Sequence, residues 1–195
     1  MPGLFVLARH GQSTLNVTRR VNSDPTVDVP LTGRGTAEAR SLGEQVSALG
    51  LDLCVHTPFP RTRQTAELAV GGRGVPLREE PLLGDIDVGE LEGRSLDEYR
   101  AYKCGRGRDE RFPGGESLDE AALRYMRAFR GLLDGEERRV LVVCHEIPVR
   151  WAVNAASGSG DLESPVHDVA NATPYLFDEA GLRRAADELE RLAAP

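Results

Sequence analysis

The sequence predicts an α/β fold of three layers, α/β/α, in which helices cover both faces of a mainly parallel central sheet. Two continuous apolar runs, at residues 4–8 and 140–144, and a third strand-like segment, at 51–56, are separated by longer segments with helical periodicity. Continuous apolar runs are typical of strands that are buried on both faces. Strands that alternate with amphipathic helices favour a parallel sheet.

The first half of the chain supplies two strands and two helices. Residues 4–8 (LFVLA) form the first strand, and the polar stretch after it reads as a loop. Residues 32–49 have helical periodicity, and Gly50 is placed to end that helix. Residues 51–56 form the second strand. Residues 60–70 form the next helix. Pro60 suits its first turn, because the N–H that proline lacks would have no hydrogen-bond partner there.

The middle of the chain is an irregular excursion followed by a long helix. Residues 71–115 are rich in glycine, proline and charge. The capping-box pattern SLDE at residues 95–98 predicts one short helix inside this excursion, and a segment of this kind commonly covers an active site. A second SLDE pattern, at residues 117–120, opens a strongly periodic helix that ends at Gly135.

The last part of the chain returns to the sheet. Residues 140–144 form the third strand and lead directly into His145. Pro148 is expected to open the next helix. Residues 175–177 are interpreted as a further strand, and residues 185–192 as a final amphipathic helix.

The amino-acid composition disfavours several classes of function. The chain has 195 residues, long enough for a single domain with a substantial core. Its 24 basic and 31 acidic residues give a net charge of −7, which disfavours partners such as nucleic acid or an anionic membrane. The first apolar run is too short for a signal peptide or a membrane span, so a cytoplasmic location is expected.

Cysteine and histidine spacing predicts neither disulfides nor a metal site. The three cysteines, at positions 54, 104 and 144, are odd in number and widely spaced. His56 and His167 have no metal-ligand spacing such as H-E-x-x-H.

Two predicted strands each end in a histidine. Arg9 and His10 follow the first strand, and His145 follows the third. In an open parallel sheet, ligands bind outside the carboxyl ends of the strands, where these histidines are expected to meet. Taken alone, an Arg-His pair is as consistent with a surface loop.

Four segments together resemble the motifs of the histidine phosphatase superfamily, also called the phosphoglycerate mutase-like family. They are RHGQSTLN (9–16), TPFPRTRQTA (57–66), PGGES (113–117) and VVCH (142–145), and they occur in the order of that family. The resemblance implies a phosphoglycerate mutase-like fold over a single domain, residues 1–195. It also implies that His10 becomes phosphorylated and that His145 takes part in catalysis. The phosphate-binding set that it implies is Arg9, Asn16, Arg61 and, as a weaker substrate contact, Asn22.

The chemistry of phosphate esters supports this set independently. Phosphoryl transfer depends mainly on positioning and on stabilisation of negative charge. Arginine forks bind phosphate oxygens in a bidentate manner, whereas lysine acts as a point charge. A neutral imidazole nitrogen can attack phosphorus, which divides one difficult displacement into two easier ones.

The proton donor is the least defined part of the predicted site. The segment LGDIDVGELEG (83–93) resembles the one that carries this acid in the family, and it places Asp85 where Glu is more common. Asp87 is the nearest substitute, since it would point the same way in an extended segment. Glu146 is a second alternative, because one branch of the family carries its donor directly after the second histidine. A solvated loop carboxylate is the favoured interpretation of Glu146.

The leading functional hypothesis is a phosphatase that hydrolyses a small phosphorylated metabolite, with neither cofactor nor metal. A cofactor-dependent phosphoglycerate mutase is the first alternative, and a catalytically silent module that binds phosphorylated ligands is the second. The shorter excursion at residues 71–115 favours the phosphatase by analogy. The oligomeric state is left open, with a homodimer among the alternatives.

Overall fold

The computed structural model describes residues 3–193, and these contain five strands and seven α-helices. The strands are β1 (Leu4–Arg9), β2 (Leu53–His56), β3 (Leu77–Glu79), β4 (Arg139–Cys144) and β5 (Pro174–Asp178). The helices are α1 (Thr14–Thr18), α2 (Gly33–Gln45), α3 (Pro60–Val70), α4 (Leu96–Lys103), α5 (Leu118–Asp134), α6 (Glu146–Ser157) and α7 (Glu179–Ala193).

The five strands form one sheet in the order β3-β2-β4-β1-β5. Strands β1, β2, β3 and β4 are parallel, and only the edge strand β5 runs antiparallel to its neighbour β1. The predicted α/β fold with a mainly parallel sheet is therefore confirmed.

The side chains of β1 divide between two cores. Phe5 and Leu7 face a large cluster formed with α5, α6 and α7, whereas Val6 and Ala8 face a smaller cluster formed with α2 and α3. This alternation follows from the two-residue period of a strand and produces the three layers. No helix within residues 3–193 is long and apolar enough to span a membrane.

Helix ends follow the capping signals in the sequence. The side chains of Ser95 and Ser117 each accept the backbone N–H of the third residue of their helix. The side chain of that third residue, Glu98 or Glu120, accepts the backbone N–H of the serine in return. Thr32 caps α2, which ends at Gln45, and a short 3₁₀ turn then leads to Gly50. Gly50 has a φ of 61°, a left-handed conformation that glycine adopts without strain.

Two elements lie where irregular structure was expected. The predicted loop after β1 contains α1, because Ser13 and Asn16 exchange side-chain and backbone hydrogen bonds in a capping box. The excursion at residues 71–115 contains the predicted α4 and also β3, which pairs with β2 through only three residues. A strand of this length carries too little pattern to be recognised from sequence.

Two predicted helix starts were placed too late. Helix α6 begins at Glu146 rather than at Pro148, and the proline is tolerated because it still lies in the first turn. Helix α7 begins at Glu179 rather than at Ala185, and the Asp178 carboxylate accepts an N–H from its first turn.

Candidate active site

Two adjacent parallel strands bring the two predicted histidines together. Arg9 at the end of β1 pairs with Cys144 at the end of β4, and the His10 N–H donates to the Cys144 carbonyl at 3.0 Å. The next residue on each strand is therefore a histidine at the same sheet edge. The imidazole centroids of His10 and His145 lie 5.5 Å apart, and both side chains are buried.

The backbone around Gly11 fixes the orientation of His10. The His10 Nδ1 atom lies 2.7 Å from the Gly11 carbonyl oxygen, so Nδ1 carries the proton and donates it. A Cβ atom at position 11 would lie 2.4 Å from the Gly35 carbonyl oxygen, so only glycine fits at this position. The Gly11 N–H donates to Thr65 Oγ1 at 3.0 Å. The lone pair of His10 Nε2 consequently points away from the backbone.

Arg61 connects the two histidines from the first turn of α3. Its Nε–H donates to His10 Nε2 at 3.1 Å, and its Nη2 donates to His145 Nδ1 at 3.2 Å. The guanidinium lies over the Phe59 ring, with 4.4 Å between its central carbon and the ring centroid. Arg61 therefore presents one planar edge of N–H donors to the space between both imidazoles.

A second layer of hydrogen bonds holds Arg61 in this plane. The Asn22 side-chain oxygen and backbone carbonyl both accept from its guanidinium. The Asn22 amide nitrogen donates to Glu92 at 2.8 Å and to the Asp24 carbonyl at 3.0 Å, and Glu92 also accepts from Ser23. The amide of Asn22 is thus fully engaged within the protein. This geometry gives Asn22 a role in orienting Arg61. Asn22 also lines the cleft that contains His10, so its substrate contact stays a prediction.

Burial and neighbouring cations shift the pKa values of the site. Burial, followed by the charges of Arg61 and Arg9, holds the pKa of His10 well below its usual value. Burial and Arg61 have the same effect on the pKa of His145. Burial also lowers the pKa of Arg61 to about 10, with Asp85 opposing this effect, so the guanidinium remains charged at neutral pH. The site therefore combines neutral imidazoles with a fixed positive charge.

Asp85 is the carboxylate that lies beside both Arg61 and His145. Its Oδ2 is 3.7 Å from Arg61 Nη2 and 3.6 Å from His145 Nδ1. The side chain is 29% exposed. Burial raises the pKa of Asp85, with the Arg61 charge opposing the shift. A carboxyl group of this kind keeps its proton to a higher pH than a solvated aspartate does.

Helix α5 anchors the loop that carries Asp85. The Arg124 guanidinium donates to the carbonyls of Gly84, at 3.0 Å, and of Asp85, at 3.2 Å. Arg124 is itself paired with Glu116, which accepts the Asp87 N–H at 3.0 Å. The PGGES segment therefore contributes by fixing the loop of Asp85.

Asp87 lies outside the cleft that contains His10. It is exposed, and its carboxylate accepts the Gly89 N–H at 2.9 Å. The structure places Asp85, and not Asp87, beside Arg61 and His145, so Asp87 is the less suitable acid.

Glu146 is the first residue of α6 and not a solvated loop carboxylate. Its carboxylate lies 2.8 Å from Arg9 Nη1 and 3.1 Å from Arg150 Nη1. The same Arg9 nitrogen donates to the Val169 carbonyl at 2.8 Å. The favoured interpretation of Glu146 was therefore wrong, since the ion pair with Arg9 places this carboxylate at the edge of the site.

The site opens into a cleft of about 800 Å³. Asn16 lines it, with its side-chain oxygen accepting the Ser13 N–H. Asn171 also lines it and donates to the His10 carbonyl at 2.8 Å. Within residues 3–193 no three His, Cys, Asp or Glu side chains are grouped so as to hold a metal ion.

Sequence reasoning missed several supporting residues. Glu92 and Thr57 lie inside segments that resemble motifs of the family, and this position is the signal in the sequence that could have identified them. Thr57 contacts His145 through a buried hydrogen bond. Arg124 is a half-buried residue of α5, and its helical spacing from the buried Ala121 and Ala128 is the signal that could have distinguished it from a surface arginine.

The model of the histidine phosphatase superfamily, branch 1, matches residues 5–188 of the chain. A Salmonella paratyphi B protein named "Probable phosphoglycerate mutase GpmB" is 31% identical over 160 residues, which cover 78% of this chain and 74% of that protein. The alpha-ribazole phosphatase from Shigella flexneri has a TM-score of 0.79 at 23% identity, with 90% of each chain covered. A mycobacterial glucosyl-3-phosphoglycerate phosphatase has a TM-score of 0.75 at 22% identity, over 89% of this chain and 92% of that one.

Proposed function

Since the chain belongs to the histidine phosphatase superfamily, as its motifs predicted, we propose that it hydrolyses a small phosphate monoester through a phosphohistidine intermediate on His10. The observation that carries this proposal is the orientation of the His10 ring. Its Nδ1–H is held by the Gly11 carbonyl, and its Nε2 lone pair faces the donors of Arg61. A nucleophile and the charge that stabilises its target are thus already in place.

In the first step, the phosphoryl group lies among Arg9, Arg61 and His145, with Asn16 assisting. The Arg61 Nε–H that His10 Nε2 accepts in the free protein turns to a phosphoryl oxygen. The freed Nε2 lone pair attacks phosphorus, and the bond from phosphorus to the ester oxygen breaks. Asp85 transfers its proton to the departing oxygen, so that an alcohol leaves. The raised pKa of Asp85 suits this role because the acid must still hold its proton when the substrate binds.

In the second step, water replaces the alcohol. The Asp85 carboxylate takes a proton from this water as its oxygen attacks phosphorus, and the bond between phosphorus and Nε2 breaks. Inorganic phosphate leaves, and both His10 and Asp85 return to their starting forms. In this scheme the positive charge comes from arginines, so neither a metal nor a cofactor is required.

Release of inorganic phosphate from a panel of phosphate monoesters tests the proposed function. We expect release without added metal and without 2,3-bisphosphoglycerate. Interconversion of phosphoglycerates that depends on the bisphosphate, with little release, would identify a mutase instead. Phosphate binding with no turnover of any ester would identify a silent binding module.

The proton donor is tested by the pair Asp85→Asn and Glu146→Gln. With an alkyl phosphate, whose leaving group needs a proton, Asp85→Asn is expected to lower kcat/KM by about 10²- to 10⁴-fold. Glu146→Gln breaks ion pairs at the edge of the site and is expected to cost at most about fivefold, the equivalent of about 1 kcal/mol. A larger loss for Glu146→Gln than for Asp85→Asn would transfer the role of the acid to Glu146.

The pH dependence of kcat/KM is expected to reflect Asp85 and His10. The pKa of His10 is held well below its usual value, so the nucleophile stays neutral in mildly acidic solution. The pKa of Asp85 is raised, so its proton is lost only as the pH rises through that shifted value. For an alkyl phosphate, kcat/KM should therefore fall on the alkaline side.

A nitrophenyl phosphate is the matched control substrate for this pH profile. Its leaving group departs without a proton, so the alkaline decline should be weaker than with the alkyl ester. The part of the decline that is specific to the alkyl ester should also disappear in Asp85→Asn. An identical decline for both esters would mean that a group other than Asp85 controls it.

A further inference from the structure

A chain of buried hydroxyl groups runs from His145 into the protein. The His145 Nε2 atom lies 3.0 Å from Thr57 Oγ1, which lies 2.8 Å from Thr62 Oγ1. Thr62 Oγ1 is in turn 2.8 Å from the Phe59 carbonyl oxygen and 3.0 Å from that of Thr57. Both threonines and His145 are fully buried, so these contacts do not compete with water.

The carbonyl acceptors fix the direction of every proton in this chain. A carbonyl oxygen can only accept, so the single proton of Thr62 Oγ1 is donated toward Phe59 and Thr57. Thr57 Oγ1 then donates its own proton to Thr62 Oγ1. The remaining lone pair of Thr57 Oγ1 can only accept, and its partner is an Nε2–H of His145. A neutral His145 therefore carries its proton on Nε2.

The other ring nitrogen is consequently an acceptor, and it lies on the side of Arg61 and Asp85, which line the cleft. His145 Nδ1 receives an N–H from Arg61 Nη2 at 3.2 Å, which agrees with a lone pair at this position. Nδ1 also lies 3.6 Å from Asp85 Oδ2. One of the Arg61 donors that are proposed to hold the phosphoryl group, Nη2, contacts the same atom.

We propose that Thr57 and Thr62 are positioning residues that lock neutral His145 in its Nε2–H form, and that a phosphoryl dianion binds with uptake of one proton at His145 Nδ1. The oxygens of a phosphoryl dianion only accept hydrogen bonds. A lone pair on Nδ1 would repel them, whereas a proton at Nδ1 turns the contact into a charge-assisted hydrogen bond. The inference rests on the proposed assignment of this pocket to the phosphoryl group.

The groups around His145 favour the neutral ring before a ligand binds. Burial has the largest effect in lowering the pKa of His145, and Arg61 on α3, His10 directly after β1, Arg124 on α5 and Arg9 at the end of β1 lower it further. The acidic residues beside His145 are Asp85 and Glu146, which is the first residue of α6. A bound dianion places negative charge against Nδ1 and opposes these cations, so the proton is then taken from solvent.

Sulfate is the appropriate probe because it is a dianion that brings no proton at neutral pH. The protein contains four histidines, so the rings of isotope-labelled histidine can be assigned individually by NMR. In the free protein, the spectrum of His145 should be that of a neutral Nε2–H ring. With sulfate bound it should become that of an imidazolium. Titration calorimetry in buffers of different ionisation enthalpy should give an uptake of about one proton per sulfate.

The variants Thr57→Val and Thr57→Ser separate positioning from packing. Valine has nearly the shape of threonine but cannot accept from Nε2–H, so neutral His145 should shift toward the Nδ1–H form, which only the longer Arg61 contact then opposes. Sulfate would then meet a proton that is already present in this fraction of the protein, and the proton uptake should fall clearly below that of the wild type. Serine keeps the hydroxyl and should retain both the Nε2–H ring and the uptake. Asp85→Asn should also retain the uptake, because the proton is assigned to His145.

The outcomes distinguish this inference from the proposed function. A free-protein spectrum with the proton on Nδ1 of His145 would overturn the tautomer lock. Sulfate that binds while His145 stays neutral would overturn the proton uptake and leave the phosphatase proposal intact. An uptake in Thr57→Val equal to that of the wild type would remove the role of Thr57. Failure of both sulfate and phosphate to bind would count against the proposed phosphoryl pocket itself.

Discussion

Substitution of His10 by alanine is expected to abolish ester hydrolysis, with kcat/KM lowered by about 10⁴- to 10⁶-fold. The attacking lone pair is removed, and the remaining groups bind and polarise the phosphate without a nucleophile in line. Covalent labelling should disappear in parallel. Wild-type protein quenched during turnover should carry a phosphoryl group that is labile in acid and stable in alkali, and His10→Ala should carry none.

Binding of inorganic phosphate provides the control for this variant. Arg9, Arg61 and His145 remain, so His10→Ala should still bind phosphate, which would demonstrate that the pocket is folded. The Arg61 Nε–H loses its acceptor, and water or ligand can replace it in the space left by the ring. Acid-labile label at the wild-type level in His10→Ala would exclude His10 as the nucleophile.

The main features of the fold could be predicted because they depend on local pattern. The apolar strands β1 and β4 and the serine caps of α4 and α5 each carry a signal within a few residues. Strand β3 carries none, because its three residues are exposed and become a strand only by pairing with β2. The earlier start of α7 did carry a local signal, because Leu182 has helical spacing with the buried Ala185, Ala186 and Leu189.

The candidate site was predictable in its residue types but less so in its contacts. Strand topology alone brings His10 and His145 to one edge, which is why two separate motifs could be joined from sequence. The roles of Asn22 and Arg124 depend on loops that meet across the fold, and sequence separation hides such contacts. The position of the ring proton of His145 depends on the buried hydroxyl groups of Thr57 and Thr62, which lie on the Nε2 side of the ring.

The charge of the site also differs from that of the chain. Seven basic and four acidic side chains line the cleft, although the whole protein has a net charge of −7. An acidic surface repels polyanions in general, whereas a cleft with an excess of basic side chains concentrates a small anion at one place. This combination favours a small phosphorylated ligand over nucleic acid, as the composition indicated.

The second large effect is expected from Arg61→Lys, which retains the charge and removes the planar donors. A lysine ammonium cannot bond both histidines and two acceptors of Asn22 in one plane. We expect kcat/KM to fall by about 10³-fold, equivalent to about 4 kcal/mol. The loss should appear in kcat as well as KM, because Arg61 orients His10 and also stabilises the charge on the transferred group.

Arg63→Lys is the matched control for Arg61→Lys, since it makes the same chemical change two residues later on α3. Arg63 is exposed and pairs with Glu67 at 2.8 Å, so this variant should keep wild-type kinetics. Guanidinium ion added to Arg61→Ala should restore part of the lost rate, because it can occupy the emptied site and supply the missing donors. Wild-type kcat/KM in Arg61→Lys would mean that positive charge alone is sufficient, and the planar connection between the two histidines would then have no role in catalysis.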